Sequence, residues 1–289
     1  MNLINEIARD VFLIQPSVAQ NYFFLLHSML FGSGEVETPL VSDSRQKAFS
    51  RICLENNNLV RRDHSPSEPP SGEDPPSLFM VNILGAITKY DPWCDYGTKT
   101  ILESLKQADR SESILGHVLN IDSGGGNGYA AKLLSDGIGK LSKPVFAFVD
   151  GMAASAAYWI ASACSLVCAS SPMDRIGSIG TYFTIADYKA WYASQGLKVI
   201  EVYARKSVEK NREFLEAISG DTSRLRGLAD QYNEFFLSSV KENRSGLLDL
   251  ASGYDSGAMY FAQEAKEIGL IDLISSFDEF ITHVFNELS

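Results

Sequence analysis

The sequence predicts an α/β fold of βαβ units around a largely parallel sheet. Two observations carry this. From Leu78 onward, short apolar runs of strand length alternate with amphipathic segments of helix length. Glycine-rich turns also stand between strand and helix, at Asp122–Gly128 and at Asp150–Gly151, where connections in parallel sheets converge.

In order, the pattern reads strand Leu78–Leu84, helix Gly97–Gln107, strand Ser113–Ile121, helix Tyr129–Gly139, strand Val145–Val149 and helix Ala154–Ala163. A strand at Ser165–Ala169, a helix at Ile185–Gln195, a strand at Lys198–Val202 and a long helix at Ser223–Glu242 continue it. Met259–Glu267 and Phe277–Glu287 read as closing helices. Upstream, residues 1–32 read as a helical segment broken near Pro16. Residues 33–77 are rich in proline, serine, glycine and acid, and read as a flexible linker. The expected organisation is therefore 1–32, 33–77 and a main domain at 78–289.

Composition narrows the function. The chain has 289 residues, 45% hydrophobic and 21% charged, with a net charge of −11. That balance suits a soluble globular protein and opposes non-specific nucleic-acid binding, which needs positive charge against phosphate. No apolar run approaches the roughly 20 residues that span a bilayer. The opening residues lack a basic, then apolar, leader, which points to the cytoplasm. Cys53, Cys94, Cys164 and Cys168 lack a C-x-x-C spacing and read as buried free thiols rather than metal ligands. No metal and no cofactor is expected.

The chemistry centres on D-G-M-A-A-S-A-A-Y-W-I-A, Asp150 to Ala161. Ser155 stands where a packed, alanine-rich helix should begin, at its positive end and among small residues that let another chain approach. A fold presents a nucleophilic serine in this way; an N-cap serine is the competing reading. Two more loops should converge on it. Asp122-Ser123-Gly124-Gly125-Gly126-Asn127-Gly128 exposes backbone amides as an oxyanion hole requires. It lacks the lysine–hydroxyl pair of a phosphate loop and the spacing of a dinucleotide site. Asp174–Thr181, with Ile179, Gly180 and Thr181 at its end, offers an extended edge for peptide pairing.

A base for the serine is harder to find. His27 and His64 lie in the N-terminal region and linker, His283 near the C-terminus, and His117 inside an apolar strand, so a Ser-His-Asp triad is weakly supported. Lys206 follows the expected strand Lys198–Val202. A lysine stripped of water can accept a proton, and Ser-Lys pairs are a known variant of the triad logic. A solvated surface lysine is the competing reading, and Lys210 is a second candidate.

Six segments in order resemble the signal peptide peptidase A family of serine peptidases, whose relatives include phage prohead proteases. They are L-F-M-V-N-I-L-G-A-I, I-D-S-G-G-G, V-D-G-M-A-A-S-A-A-Y-W-I-A, I-G-S-I-G-T, A-R-K-S-V-E-K-N-R-E-F and the closing stretch that ends A-K-E-I-G-L-I-D. The resemblance spans about Leu78 to Ile274. It implies a Clp/crotonase-like fold and peptide hydrolysis through an acyl-enzyme, with Ser155 as nucleophile and Lys206 as base. Gly125 and Ala156 would donate the oxyanion-hole amides, and Gly126, Ile179, Gly180 and Thr181 would line the peptide groove. Two departures stand out. Gly124 replaces the family's usual proline, and Tyr203 stands three residues before Lys206 where the family usually has glycine.

The resemblance further implies a polypeptide substrate, assembly into a homo-oligomeric ring, and a prohead-type role on capsid or scaffold proteins in a host cytoplasm or phage prohead. Signal-peptide degradation, a crotonase-like acyl-CoA enzyme and a non-catalytic scaffold with a peptidase fold are the alternatives.

Overall fold

In the computed structural model, residues 48–55, 58–65, 74–92, 95–185, 187 and 189–288 are described, together with the backbone of Phe12–Ile14. They form two compact units. One joins the chain up to Gly180 with Leu237–Ser289; the other is Thr181–Phe236.

The first unit is built on a mixed, mainly parallel sheet. Its strands are β1 (Phe12–Ile14), β2 (Phe49–Glu55), β3 (Asn58–Asp63), β4 (Ser77–Ile87), β5 (Ile114–Asn127), β6 (Val145–Ala154), β7 (Leu166–Ala169), β8 (Arg175–Gly177), β9 (Met259–Phe261) and β10 (Leu273–Ile274). The order across the sheet is β10-β7-β6-β5-β4-β2-β3; β1 joins β5, and β8 joins β6 and β9. From β4 to β10 the main path is parallel. Helices α1 (Thr98–Asp109), α2 (Gly128–Ile138) and α3 (Ala156–Ser162) make the crossovers.

Register fixes what faces what. Met80 pairs with Val118, Val118 with Phe146 and Phe146 with Leu166. This row meets Phe280, Ile281, Val284 and Phe285 of the C-terminal helix Phe277–Leu288 in one apolar core. The alternate row, Val81, Leu119, Ala147 and Val167, is fully buried too, as expected for strands covered on both sides. Gly137 is needed between α1 and α2, because a Cβ there would overlap the Leu102 side chain.

Two expectations are corrected upstream. The expected linker at 33–77 contains an antiparallel hairpin: β2 and β3 pair from Ser50/Asp63 to Glu55/Asn58, and β2 pairs with β4. The strand buries Phe49, Ser50, Ile52 and Cys53, a pattern without strict alternation and set among polar residues, which left no period-2 signal to read. Phe12–Ile14, expected as helix, is strand; the rest of 1–32 lies outside the described residues. Downstream, Met259–Phe261 is strand before a helix at Ala262–Glu267, not helix throughout.

The second unit carries α4 (Lys189–Ser194), α5 (Arg212–Ile218) and the start of α6 (Ser223–Asn243). Arg212 and Arg224 bridge Glu209 and Glu216 within it. The strand expected at Lys198–Val202 is absent: those residues are irregular and exposed, and β-branched composition alone does not make a strand without a partner. Large apolar side chains stand in solvent here, among them Val202 (88% exposed), Ile200 (70%) and Val208 (66%). Among the described residues no helix is long and apolar enough to cross a membrane.

Candidate active site

β6 delivers Ser155. The strand continues past the parallel core through Gly151, whose φ of 115° suits glycine alone and whose Cβ would press on the Asp122 carboxylate. Burial, with the Asp150 charge next, pushes the Asp122 carboxyl above its ordinary value. Ser155 then sits at φ 56°, ψ −121°, a conformation rarely adopted by residues with a side chain. It is 1% exposed and makes no side-chain capping bond to α3. A capping serine has an extended backbone and bonds the helix amides; Ser155 does neither. A strained serine between strand and helix, its hydroxyl spared from capping, is the geometry of a nucleophile turn.

The ladder places two loops beside it. On one side Ser123 of β5 pairs with Ala153 of β6, so the glycine loop runs next to the residues leading into Ser155. On the other, Ala154 pairs with Gly177 of β8, and the Ser155 amide donates to the Gly177 carbonyl at 2.8 Å. Gly125 has a φ of 103°, and a Cβ on Gly126 would collide with the backbone of Ile87 on β4. Gly125 is therefore set by its backbone conformation and Gly126 by close backbone approach. Gly124 has no positive φ, which fits a position where the family places proline.

Ser123 is a part of the site that the motif alone did not assign. Its hydroxyl donates to the Gly85 carbonyl at 2.5 Å and accepts from the Gly125 amide at 3.1 Å. It thus holds one expected oxyanion donor in place and keeps it satisfied. The serine in I-D-S-G-G-G was the available signal. Ser178, with a φ of 53° and its amide donating to Ala258 at 2.6 Å, was likewise unremarked. Ala156 and Ile179 are fully buried, and Gly180 passes close to Gly257.

The structure brings Ser155, Ala156, Gly125, Gly126, Ile179 and Gly180 into the first unit. Thr181, Lys206 and Lys210 belong to the second. Thr181 Oγ1 is buried with no hydrogen-bond partner among the described residues. Lys206 and Lys210 are both exposed.

Among the described residues no histidine is placed to act as base, and His27 lies outside them. His117 pairs with Val145, at the start of β6, whereas Ser155 follows the end of that strand. Its Nε2 meets Asp109 Oδ1 at 3.1 Å. His283 is an exposed partner of Glu287, and His64 packs edge-on against Phe79. Cys53, Cys164 and Cys168 are buried free thiols, and burial raises all three above their ordinary value. Cys94 lies outside the described residues. No group of His, Cys, Asp and Glu among the described residues could hold a metal.

The sequence profile of Peptidase family S49 matches residues 139–288, just over half of the chain and including Ser155 and both lysines. The chain belongs to peptidase family S49. Curated relatives of this S49 chain include the head-tail preconnector protein GP5 of Enterobacteria phage P21, 30% identical over 205 residues, covering 69% of the chain and 40% of that protein. The capsid assembly protease C of Escherichia phage lambda is 25% identical over 273 residues, covering 92% and 61%. Protease 4 of Haemophilus influenzae is 24% identical over 224 residues, covering 71% and 34%. The S49 chain thus spans less than two thirds of each relative's length. Among solved structures, an enoyl-CoA hydratase/isomerase family member aligns with a TM-score of 0.40 at 20% identity, covering 73% of this chain and 72% of that one.

Proposed function

We propose that this S49 chain is a serine endopeptidase that cuts peptide bonds with a Ser155–Lys206 dyad. The observation that carries the reading is the Ser155 backbone: a strained, buried serine, freed from capping, beside a glycine loop. In the proposed reaction, Ser155 Oγ attacks the scissile carbonyl carbon and passes its proton to neutral Lys206 Nζ. The oxyanion forms against the amides of Gly125 and Ala156, for which Ser123 must give up its bond to Gly125. The C–N bond then breaks, and the lysine proton goes to the leaving amine. Water, deprotonated by the same lysine, hydrolyses the ester and restores the serine.

A lysine base has to lose water, and Lys206 is exposed in the single chain. The exposed Val202 and Val208 on either side of it are the surface that a neighbouring copy in a ring would cover. The names of the phage relatives support capsid or scaffold polypeptides as substrates, in a prohead or host cytoplasm. Gly126, Ile179, Gly180 and Thr181 are the proposed groove, lined by little side-chain bulk at its glycines.

The test is labelling by a fluorophosphonate together with hydrolysis of a protein substrate. Ser155→Ala should lose both, by at least about 10³-fold, with its unfolding midpoint retained. Lys206→Ala should lose hydrolysis while Lys210→Ala keeps it. An active Ser155→Ala variant ends the reading, and the reverse lysine result moves the base to Lys210.

A further inference from the structure

We infer that the chain's own residues Phe12–Ile14 occupy the peptide-binding edge of the site, as a built-in competitor of substrate. The inference rests on the groove assigned under the proposed function. At Gly125 and Gly126, β5 has β4 on one edge, with Ala86 opposite Gly125 and Ile87 opposite Gly126. Its other edge is shared with β6 only as far as Ser123, opposite Ala153. Beyond that point β6 turns into Ser155, and β5 is left with an open row of backbone groups. β1 fills that row antiparallel: Phe12 opposite Asn127, Leu13 opposite Gly126, Ile14 opposite Gly125.

An extended peptide that adds a strand to this loop needs the same edge, because backbone groups on the other are already paired with β4. Two strands cannot share one row of donors and acceptors, so substrate and β1 exclude each other. The sequence suits the role: Val11-Phe12-Leu13-Ile14 is an apolar run between Asp10 and Gln15-Pro16. As part of the same chain it meets this edge without the bimolecular step that a free peptide must make. Access to Ser155 is thus governed by release of the N-terminal segment, through displacement by a tighter-binding polypeptide or through its excision.

The test uses the full chain with Ser155→Ala, so that binding is read without turnover. A fluorescein-labelled peptide with the sequence of residues 10–18 is titrated against this chain and against one that also carries Phe12→Pro and Leu13→Pro. Two successive prolines remove successive donors, so pairing with β5 is lost whichever residue faces it. Expected are binding about tenfold tighter to the proline variant and faster amide hydrogen exchange at Gly125–Asn127, with exchange in β4 to β7 unchanged to show that the fold persists. Equal affinity, or equal exchange at Gly125–Asn127, overturns the inference. If the serine-intact chains cleave nothing while affinity and exchange still shift, the hydrolase reading falls and the occupied edge stands.

Discussion

The Ser155 amide donates to the Gly177 carbonyl at 2.8 Å, tying a serine at φ 56° to a strand paired on both sides, with Ala154 and with Met259. A Cβ on Gly177 would run into the Ala258 carbonyl oxygen at 2.6 Å, so the backbone of β8 is packed closely against the turn before β9. The strain at Ser155 is held by its surroundings, and a residue without Cβ should release it. Ser155→Gly should be more stable than Ser155→Ala by about 1 kcal/mol, the strain relieved exceeding the chain entropy that glycine adds. Both variants should be inactive. Urea unfolding of the pair measures this, and a glycine variant less stable than the alanine one removes strain from the account.

Much of this site was legible because it is built from backbone, and backbone demands leave marks in composition. Gly125, Gly126, Gly151 and Gly177 stand where a Cβ collides, presses on a carboxylate or would need a forbidden φ, and each appears in a motif read from the sequence. The parallel strands were equally legible, since burial on both faces writes a continuous apolar run such as Val145–Val149. What escaped depends on partners distant in sequence. The β2–β3 hairpin draws its stability from β4, some 25 residues on, amid acid, serine and proline. β1 is strand only because β5 lends it an edge. The role of the Ser123 hydroxyl depends on the Gly85 carbonyl, 38 residues away in the sequence. The Lys198–Val202 segment failed in the opposite sense: it has strand composition, and among the described residues no strand pairs with it.

His117 and Asp109 set a pH dependence that is separate from catalysis. His117 is fully buried, and burial pushes it below its ordinary value despite the Asp109 carboxylate beside it. Its Nδ1 has no partner among the described residues, which fits a neutral ring with its proton on Nε2, facing Asp109. A histidine neutral in the folded chain and free to protonate in the unfolded one contributes stability above pH 6.5, lost progressively as pH falls below it. Asp109 acts lower. Partial burial pushes it up, but donors from the Ser142 amide, His117, the Ser142 hydroxyl and the Lys143 amide outweigh this and hold it at about 2. Its contribution is present above pH 3.8 and fades as pH falls from there towards 2. Thermal midpoints should therefore decline from pH 6.5 to 5 in the wild-type chain and stay flatter over that range in His117→Gln. Parallel declines in both would assign the effect to other groups.

The closing segment depends on one buried cation. Arg244, 1% exposed, donates to both oxygens of Asp272 at 2.9 and 2.8 Å and twice to the Gly269 carbonyl at 3.0 and 2.9 Å. Asp272 also accepts from the Val167 amide at 2.7 Å, so the clamp fastens the end of α6 and the turn before β10 to strand β7. Tyr158 of α3 joins the same turn by donating to the Leu270 carbonyl at 2.8 Å, which links the clamp to the helix that follows Ser155. Removing Asp272 leaves the Arg244 charge buried without its counter-ion, a loss of about 3–5 kcal/mol, whereas removing Arg244 leaves Asp272 partly exposed and still bonded to the Val167 amide, a smaller loss. Asp272→Asn should fall in that range and Arg244→Met below it. The double variant should lose much less than the sum, because neither charge then remains to be desolvated. Arg244→Lys should not rescue, since an ammonium cannot serve both Asp272 oxygens and the Gly269 carbonyl with the same planar fork. Denaturant unfolding of the four variants and the wild type decides it: additive losses, or a lysine variant as stable as wild type, would show that the fork geometry does not hold this end of the fold.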